Sequence, residues 1–286
     1  MKISQKMILG LLLFSSSLIG MTSAPSERMS LPYDQFRVAG VLPYIHYTKD
    51  DGTPGIFILF GKDLRGPKYN IESYSGFIGK KFVEENSLQT AAREACEECF
   101  QSMGYSQNDL EHLIIESLVN GTGLKSIVPD NIFPQTAFLV EYIIPLNITF
   151  DMRDTNERRR IEMFLKRLED NSDSRYEERN PYLEKHAYAL VDYQTFFTRP
   201  NPNRQKVFAS FVTSDHRLRA RGKIEKGQII ENKEIQLDRH YSEQETLEST
   251  KRTAEFFDAL IAARRQKQRE LEEQRELDAE MGRLAT

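Results

Sequence analysis

The chain has 286 residues, 39% of them hydrophobic and 10% aromatic, which is enough apolar surface for a real core and argues against global disorder. The formal net charge is −4 and the pI is near 5.9, so there is no basic surplus for a general grip on nucleic acid. Small anionic substrates stay open, because a local Arg or Lys cluster or a divalent metal holds them. The length suits one generous domain, or a domain with appendages.

At the N-terminus, Lys2 and Lys6 precede an apolar run at 7–21, and Thr22, Ser23 and Ala24 follow it. A charged, then apolar, then small order is that of a secretory signal peptide. The run is shorter than the about 20 residues of a spanning helix. Pro25 directly after Ala24 disfavours cleavage there, so the cut lies a few residues away or the segment stays as an anchor. Residues 1–24 are read as a signal peptide or N-terminal anchor. That implies an exported protein, periplasmic or secreted, and a membrane-anchored one if the segment is retained. Residues 25–36 read as a linker.

Residues 37–47 and 56–60 are apolar with β-branched and aromatic side chains, and read as strands joined by the turn KDDGTPG. A helix is expected over 88–103, stopped by Gly104 in a left-handed conformation. Residues 113–119 and 136–144 read as further strands, with a Gly- and Pro-bearing loop at 120–134 between them. Residues 156–170 have the helical stripe Ile161, Phe164, Leu165, Leu168, and Arg158, Arg159 and Arg160 read as a solvated face. Residues 186–191 form another strand, followed by Tyr193, Phe196 and Phe197. Past about 200 the chain turns polar, and a long helix follows from Ser242, with Glu245 completing a capping box. The apolar residues of its first half give way to an almost purely charged tail, too thin in heptads for a coiled coil. Asn120 and Asn147 open Asn-x-Thr sequons but read as ordinary loop residues.

The two cysteines, Cys96 and Cys99, form a C-x-x-C. One such pair cannot make a four-ligand zinc site, and the plain reading is two small apolar residues on the inner face of a helix.

The acid density of 79–98 carries the chemistry. Glu94, Glu97 and Glu98 stand at i, i+3 and i+4 and project from one helical face. Three carboxylates so close repel, and a bound divalent cation offsets that best; Mg²⁺ and Mn²⁺ take hard oxygen ligands of this kind. The opposite arc, Ala91, Ala92, Ala95, Cys96, Cys99, Phe100 and Met103, suits close packing on a sheet. Arg93 is placed to pair with Glu85 and fix the loop into the helix. Gly79 lets the backbone turn tightly and bring its carbonyl near the metal.

Gly79, Glu85, Arg93, Glu94, Glu97 and Glu98, with Ala95 as the aliphatic residue, resemble the Nudix box G-x5-E-x7-R-E-U-x-E-E-x-G-U over residues 79–101. Phe100 and Gln101 depart, standing where the family has glycine and an aliphatic residue. The resemblance spans 37–200 and implies an α/β fold: an α/β/α sandwich around a mixed β-sheet, with a helical insertion near 156–170. Residues 201–286 would be a polar segment and helical C-terminal extension. It implies a pyrophosphohydrolase that uses Mg²⁺ or Mn²⁺ to cleave a phosphoanhydride bond in a nucleoside diphosphate linked to another group. Gly79, Glu94, Glu97 and Glu98 would hold the metal. Glu98, or the late Glu184, would orient or deprotonate the attacking water; Glu141, inside an apolar strand, is the rival late acid. Arg93 and Glu85 would keep loop and helix in register. Loop 120–134 and the region of Arg199 and Arg204 are candidate pocket walls. A nucleotide-type small molecule is the expected partner, with oligomerisation left open. The alternative is an exported binding or regulatory protein on the same scaffold without catalysis.

Overall fold

Strands buried on both faces read as near-continuous apolar runs, and the two central strands do so. In the computed structural model, β1 (Phe36–Thr48) and β2 (Pro54–Asp63) pair antiparallel with Tyr44 opposite Ile58. Alternation sends Val41, Ile45, Phe57 and Leu59 to one face, and Leu42, Tyr44, Ile56 and Ile58 to the other. All eight side chains are buried. Helices must therefore cover both faces. The structure describes residues 36–63, 73–82, 84–129, 138–177, 185–197, 204–213, 228–238 and 243–284. The segment 1–24, Glu184, Arg199 and Ser242 lie outside them.

The remaining strands are β3 (Ser73–Ser75), β4 (Phe77–Lys80), β5 (Leu124–Pro129), β6 (Phe138–Asp151), β7 (Lys185–Asp192), β8 (Arg204–Thr213) and β9 (Ile229–Asp238). Among the described residues they form one mixed nine-stranded sheet in the order β3-β9-β8-β7-β2-β1-β6-β5, with β4 paired to β1. β1 runs parallel to β6, and β3 parallel to β9.

One face is covered by α1 (Ser87–Glu98), α2 (Gln107–Val119) and α3 (Glu157–Glu177). They contribute Ala91, Ala92 and Ala95; Leu110 and Ile114; and Ile161, Leu165 and Leu168 to the first core cluster. The alanines let the α1 backbone approach the sheet closely. A short helix, α4 (Tyr193–Phe197), follows β7. The second face is covered by α5 (Glu243–Leu284), whose Phe257 and Ile261 complete the other cluster. The architecture is thus mixed α/β, with helices on both sides of a mixed sheet and a long C-terminal helix.

Several elements differ from the sequence reading. Residues 113–119 are the second half of helix α2, not a strand. Ser106 caps it and Asp109 reciprocates, the two forming a capping box, while Leu110 and Ile114 bury one helical stripe. A local run rich in Leu, Ile and Val has no periodicity of its own to separate helix from strand. The expected loop 120–134 contains β5, which pairs with β6. The expected helix 88–103 is α1 followed by a tighter 3-10 turn, Phe100–Met103; Gly104 ends it at φ 87°, in the left-handed region as expected.

The expected boundary near 200 is crossed by the sheet. β8 pairs with β7 and β9 with β8, so the described residues past 200 extend the same core. All of them belong to one compact unit, Phe36–Thr286. In β8, exposed Lys206 and Phe208 alternate with buried Val207 and Ala209, and residues 230–234 of β9 are exposed, which makes the segment look polar when read linearly. Arg158 and Arg160 pair with Glu231 and Glu157 and are more than half exposed, which agrees with a solvated face.

This arrangement makes α5 structural in its first half and solvated in its second. Phe257 is fully buried, with Tyr44 5.4 Å and Tyr193 5.8 Å away between ring centroids. Phe257→Ala should cost about 3–5 kcal/mol in urea denaturation. Leu277→Ala, in the charged tail where Leu277 is exposed, should stay within about 0.5 kcal/mol. Equal effects of the two substitutions would mean that α5 does not cover the sheet.

Candidate functional site

The site begins where β4 leaves the sheet. β4 pairs antiparallel with β1, placing Gly79 opposite Ala39 and Lys80 opposite Val38. Asn86 then caps α1: its side chain accepts from the Gln89 N–H at 2.9 Å, and the Gln89 side chain accepts from the Asn86 N–H at 3.0 Å. That reciprocal cap sets the first turn of α1 and therefore the direction of Arg93, Glu94 and Glu97.

Arg93 gathers the motif. Its Nε donates to Glu85 Oε1 at 2.8 Å and its Nη2 to Glu85 Oε2 at 3.2 Å. Nη2 also donates to the Lys80 carbonyl at 2.9 Å. Nη1 contacts both Glu94 Oε1 at 2.8 Å and Glu97 Oε2 at 3.2 Å, so two carboxylates converge on one nitrogen. The guanidinium carbon sits 3.8 Å from the centroid of the Phe82 ring, closing one face of the plane. Glu85 is held further by the Thr90 hydroxyl at 2.8 Å and the Phe82 N–H at 3.2 Å.

Burial by itself would raise the Glu85 carboxyl, but Arg93, Thr90 and the Phe82 amide outweigh it and hold it below the usual glutamate range. Burial works the other way on Arg93, and Glu85 and Glu94 overcome it and push the guanidinium up.

Gly79 meets the helix here. A Cβ on Gly79 would lie 1.8 Å from the Glu94 carboxyl carbon, so the carboxylate occupies the space that any other residue would need. This is the physical reason for glycine at the head of the motif. Glu94 and Glu97 side chains keep 15% and 34% exposure, which leaves this edge open to water.

Glu98 stands apart from that edge. Its side chain is 1% exposed and turned toward the sheet, where Lys185 Nζ lies 4.0 Å from Oε2. The Tyr188 hydroxyl donates to the Glu98 backbone carbonyl at 3.2 Å. The expected single face of three carboxylates is therefore split into an open pair and a buried third. The reason is angular: α1 lies so close to the sheet that its last residue meets Lys185 and Tyr188 of β7. Lys185 was not anticipated from sequence, since nothing in a lysine opening an apolar strand names its partner.

Glu141 is buried in β6, with an Oε1 oxygen 3.6 Å from where a Gly76 Cβ would stand, beside the start of β4. Phe100, the departure from the motif, is fully buried and meets Phe77 and Tyr105 edge-on at 6.1 and 5.9 Å. It is a core side chain, and the helix tightens at Cys99 to deliver it. Cys96 and Cys99 are buried thiols, and the Cys96 Sγ donates to the Tyr105 carbonyl at 3.5 Å. Burial, reinforced by Glu98, pushes the Cys99 thiol well up, which keeps it protonated and agrees with the apolar reading of the pair. Beside Arg93 and Glu97 an open cleft of about 480 Å³ runs past Gln101, Tyr105 and Gln107.

The donor chemistry of the open edge fits a hard divalent cation. Glu85, Glu94, Glu97 and Glu98 are four carboxylates set against two cations, Arg93 and Lys185. Among the described residues, no three His, Cys, Asp or Glu side chains are grouped as a ready metal site. Arg93 draws Glu94 and Glu97 onto itself, and Lys185 takes Glu98.

No family model and no curated protein matches the chain. Its structural neighbours are Nudix/MutT proteins at low similarity. A MutT/nudix family protein from Enterococcus faecalis shares 13% identity at a TM-score of 0.25, over 50% of this chain and 44% of that one. An Ap4A hydrolase from C. elegans shares 14% at 0.23, over 39% and 68%. A mutT/nudix family protein from Listeria innocua shares 15% at 0.24, over 40% and 66%. The chain spans less than half the length of the first, and at these TM-scores the site rests on its own residues.

Because the folded state holds the Glu85 carboxyl low, its contribution is complete above the unfolded-state pKa and fades as pH falls through the folded value. Glu85→Gln should cost about 1.5–3 kcal/mol at neutral pH, the range for hydrogen bonds to a charged partner. It should also flatten the fall of stability as pH drops through the usual glutamate range. Denaturant titrations at stepped pH test this, and identical pH profiles for the two proteins would remove the Glu85–Arg93 pair as the cause.

Proposed function

We propose that the chain is a metal-dependent hydrolase that cleaves a phosphoanhydride bond in a nucleoside diphosphate linked to another group. One observation carries the reading. Three separated pieces of the motif meet at a partly open edge: Glu85, Glu94 and Glu97 close on the single guanidinium of Arg93, and Glu94 fills the space over Gly79. A chance acidic helix has no reason to seat its first carboxylate in the space over a glycine in the preceding strand.

Glu94, over the Gly79 backbone, and Glu97 are the residues that would hold Mg²⁺ or Mn²⁺. A bound divalent cation supplies positive charge against the phosphates and acidifies water. Arg93 keeps Glu94 and Glu97 aimed at one point, and Glu85 keeps Arg93 in place, so the carboxylates do not reorganise when substrate arrives. Glu97, the most exposed of them, is the described carboxylate best placed to orient and deprotonate water. The water oxygen attacks phosphorus, the bond to the bridging oxygen breaks, and two phosphate-bearing products leave. The cleft past Tyr105 offers room for the linked group. The N-terminal apolar run supports export, with membrane anchoring if the segment is retained.

A second reading is a non-catalytic exported binding or regulatory protein. It draws on the sequestration of Glu98 by Lys185. The two readings separate in one assay. The hydrolase should release phosphate-bearing products from ADP-ribose, NADH, dinucleoside polyphosphates or capped nucleotides only with Mg²⁺ or Mn²⁺. Glu97→Gln should lower that rate by at least about 10²-fold with the fold retained. Absence of turnover across the panel with either metal would sink the hydrolase reading.

A further inference from the structure

The buried pair of Glu98 and Lys185 is a construction of its own. Both side chains are almost sealed, at 1% and 2% exposure, with 4.0 Å between the nearest charged atoms. Lys185 Nζ also donates to the Ser75 hydroxyl at 2.8 Å. The Lys185 stem lies over Gly61, where a Cβ would come within 2.8 Å of Lys185 Cδ. One helix and three strands thus supply the carboxylate, the ammonium, its second acceptor and the gap for its stem. A buried carboxylate needs a counter-charge, and losing it leaves an uncompensated ion.

Resting on the hydrolase reading, we propose that Lys185 is the permanent cation of Glu98. Its ammonium supplies from within the chain the charge that a second divalent ion would bring, and confines external cation binding to the Glu94–Glu97 edge. An ion arriving at Glu98 would have to shed water and displace an ammonium that is tethered and cannot diffuse away. Lys185 is therefore a positioning residue. It keeps Glu98 fixed behind the open pair, and sets how many cations the site takes.

The test is Mn²⁺ stoichiometry, read from the electron paramagnetic resonance signal of free Mn²⁺, on the 286-residue chain purified with Mn²⁺ present. Lys185→Met keeps an unbranched stem over Gly61 and removes the charge. The wild type should bind one ion and Lys185→Met two, with Mn²⁺ raising the Tm of the variant more than that of the wild type. The double variant Lys185→Met, Glu98→Gln should fold and return to one. The proposal is overturned if Lys185→Met binds the same number as the wild type, or if the double variant keeps the extra ion. It is also overturned if Lys185→Met stays unfolded in Mn²⁺ while the double variant folds. A wild type that binds none and a Lys185→Met that binds one would overturn the hydrolase reading and support the role of Lys185. No binding by either would overturn both.

Discussion

Arg93 sits almost buried among more negative charge than it can neutralise, and the arrangement of the site follows from how its donors are shared. A guanidinium offers five N–H groups in a fixed planar fork. Here the fork spans Glu85, Glu94, Glu97 and the Lys80 carbonyl, while the ring of Phe82 covers one face. Lysine has one charge centre and no plane, so it would not join the end of β4, the loop and two turns of α1 at once. Lys80 and Glu85 are therefore tied together through a side chain of the helix that follows.

That tie depends on the sheet beneath. Gly79 is in register with Ala39, and Ala91, Ala92 and Ala95 let α1 sink onto the strands. The closeness brings Glu94 over the Gly79 backbone, and it also buries the last turn of α1. The same approach that forms the open pair of carboxylates removes Glu98 from it. Lys185 and Tyr188, from a strand far along the chain, meet Glu98 there. The region separates into a partly open edge with Glu94 and Glu97 and a sealed ion pair behind it.

The second face of the sheet explains the C-terminal third. Tyr44, Ile56 and Ile58 would face water without α5, and Phe257 and Ile261 cover them. β8 and β9 extend the sheet beyond β7 toward β3, which also pairs with β2 and leads toward the site. The residues after 200 thus help hold the strand next to the motif, although they contribute none of its described acids.

Spacing by itself determined the helix at the motif, its stop at Gly104, the pairing of Arg93 with Glu85, the central strands and the amphipathic helix of residues 156–170, which the structure continues to Glu177. Each is a local matter of period, cap or charge offset, and is written within about twenty residues. Tertiary structure decided the rest. Residues 113–119 became helix because the Ser106–Asp109 cap and the burial of Leu110 and Ile114 outweighed a strand-like composition. Residues past 200 joined the core because an alternating strand needs a neighbour before its pattern has meaning. The apolar arc already placed Phe100 toward the sheet, and the tertiary structure supplied its partners, Phe77 and Tyr105. Glu98 left the company of Glu94 and Glu97 because helical spacing says which side chains are adjacent, and only the docking of the helix on the sheet decides which of them still see water.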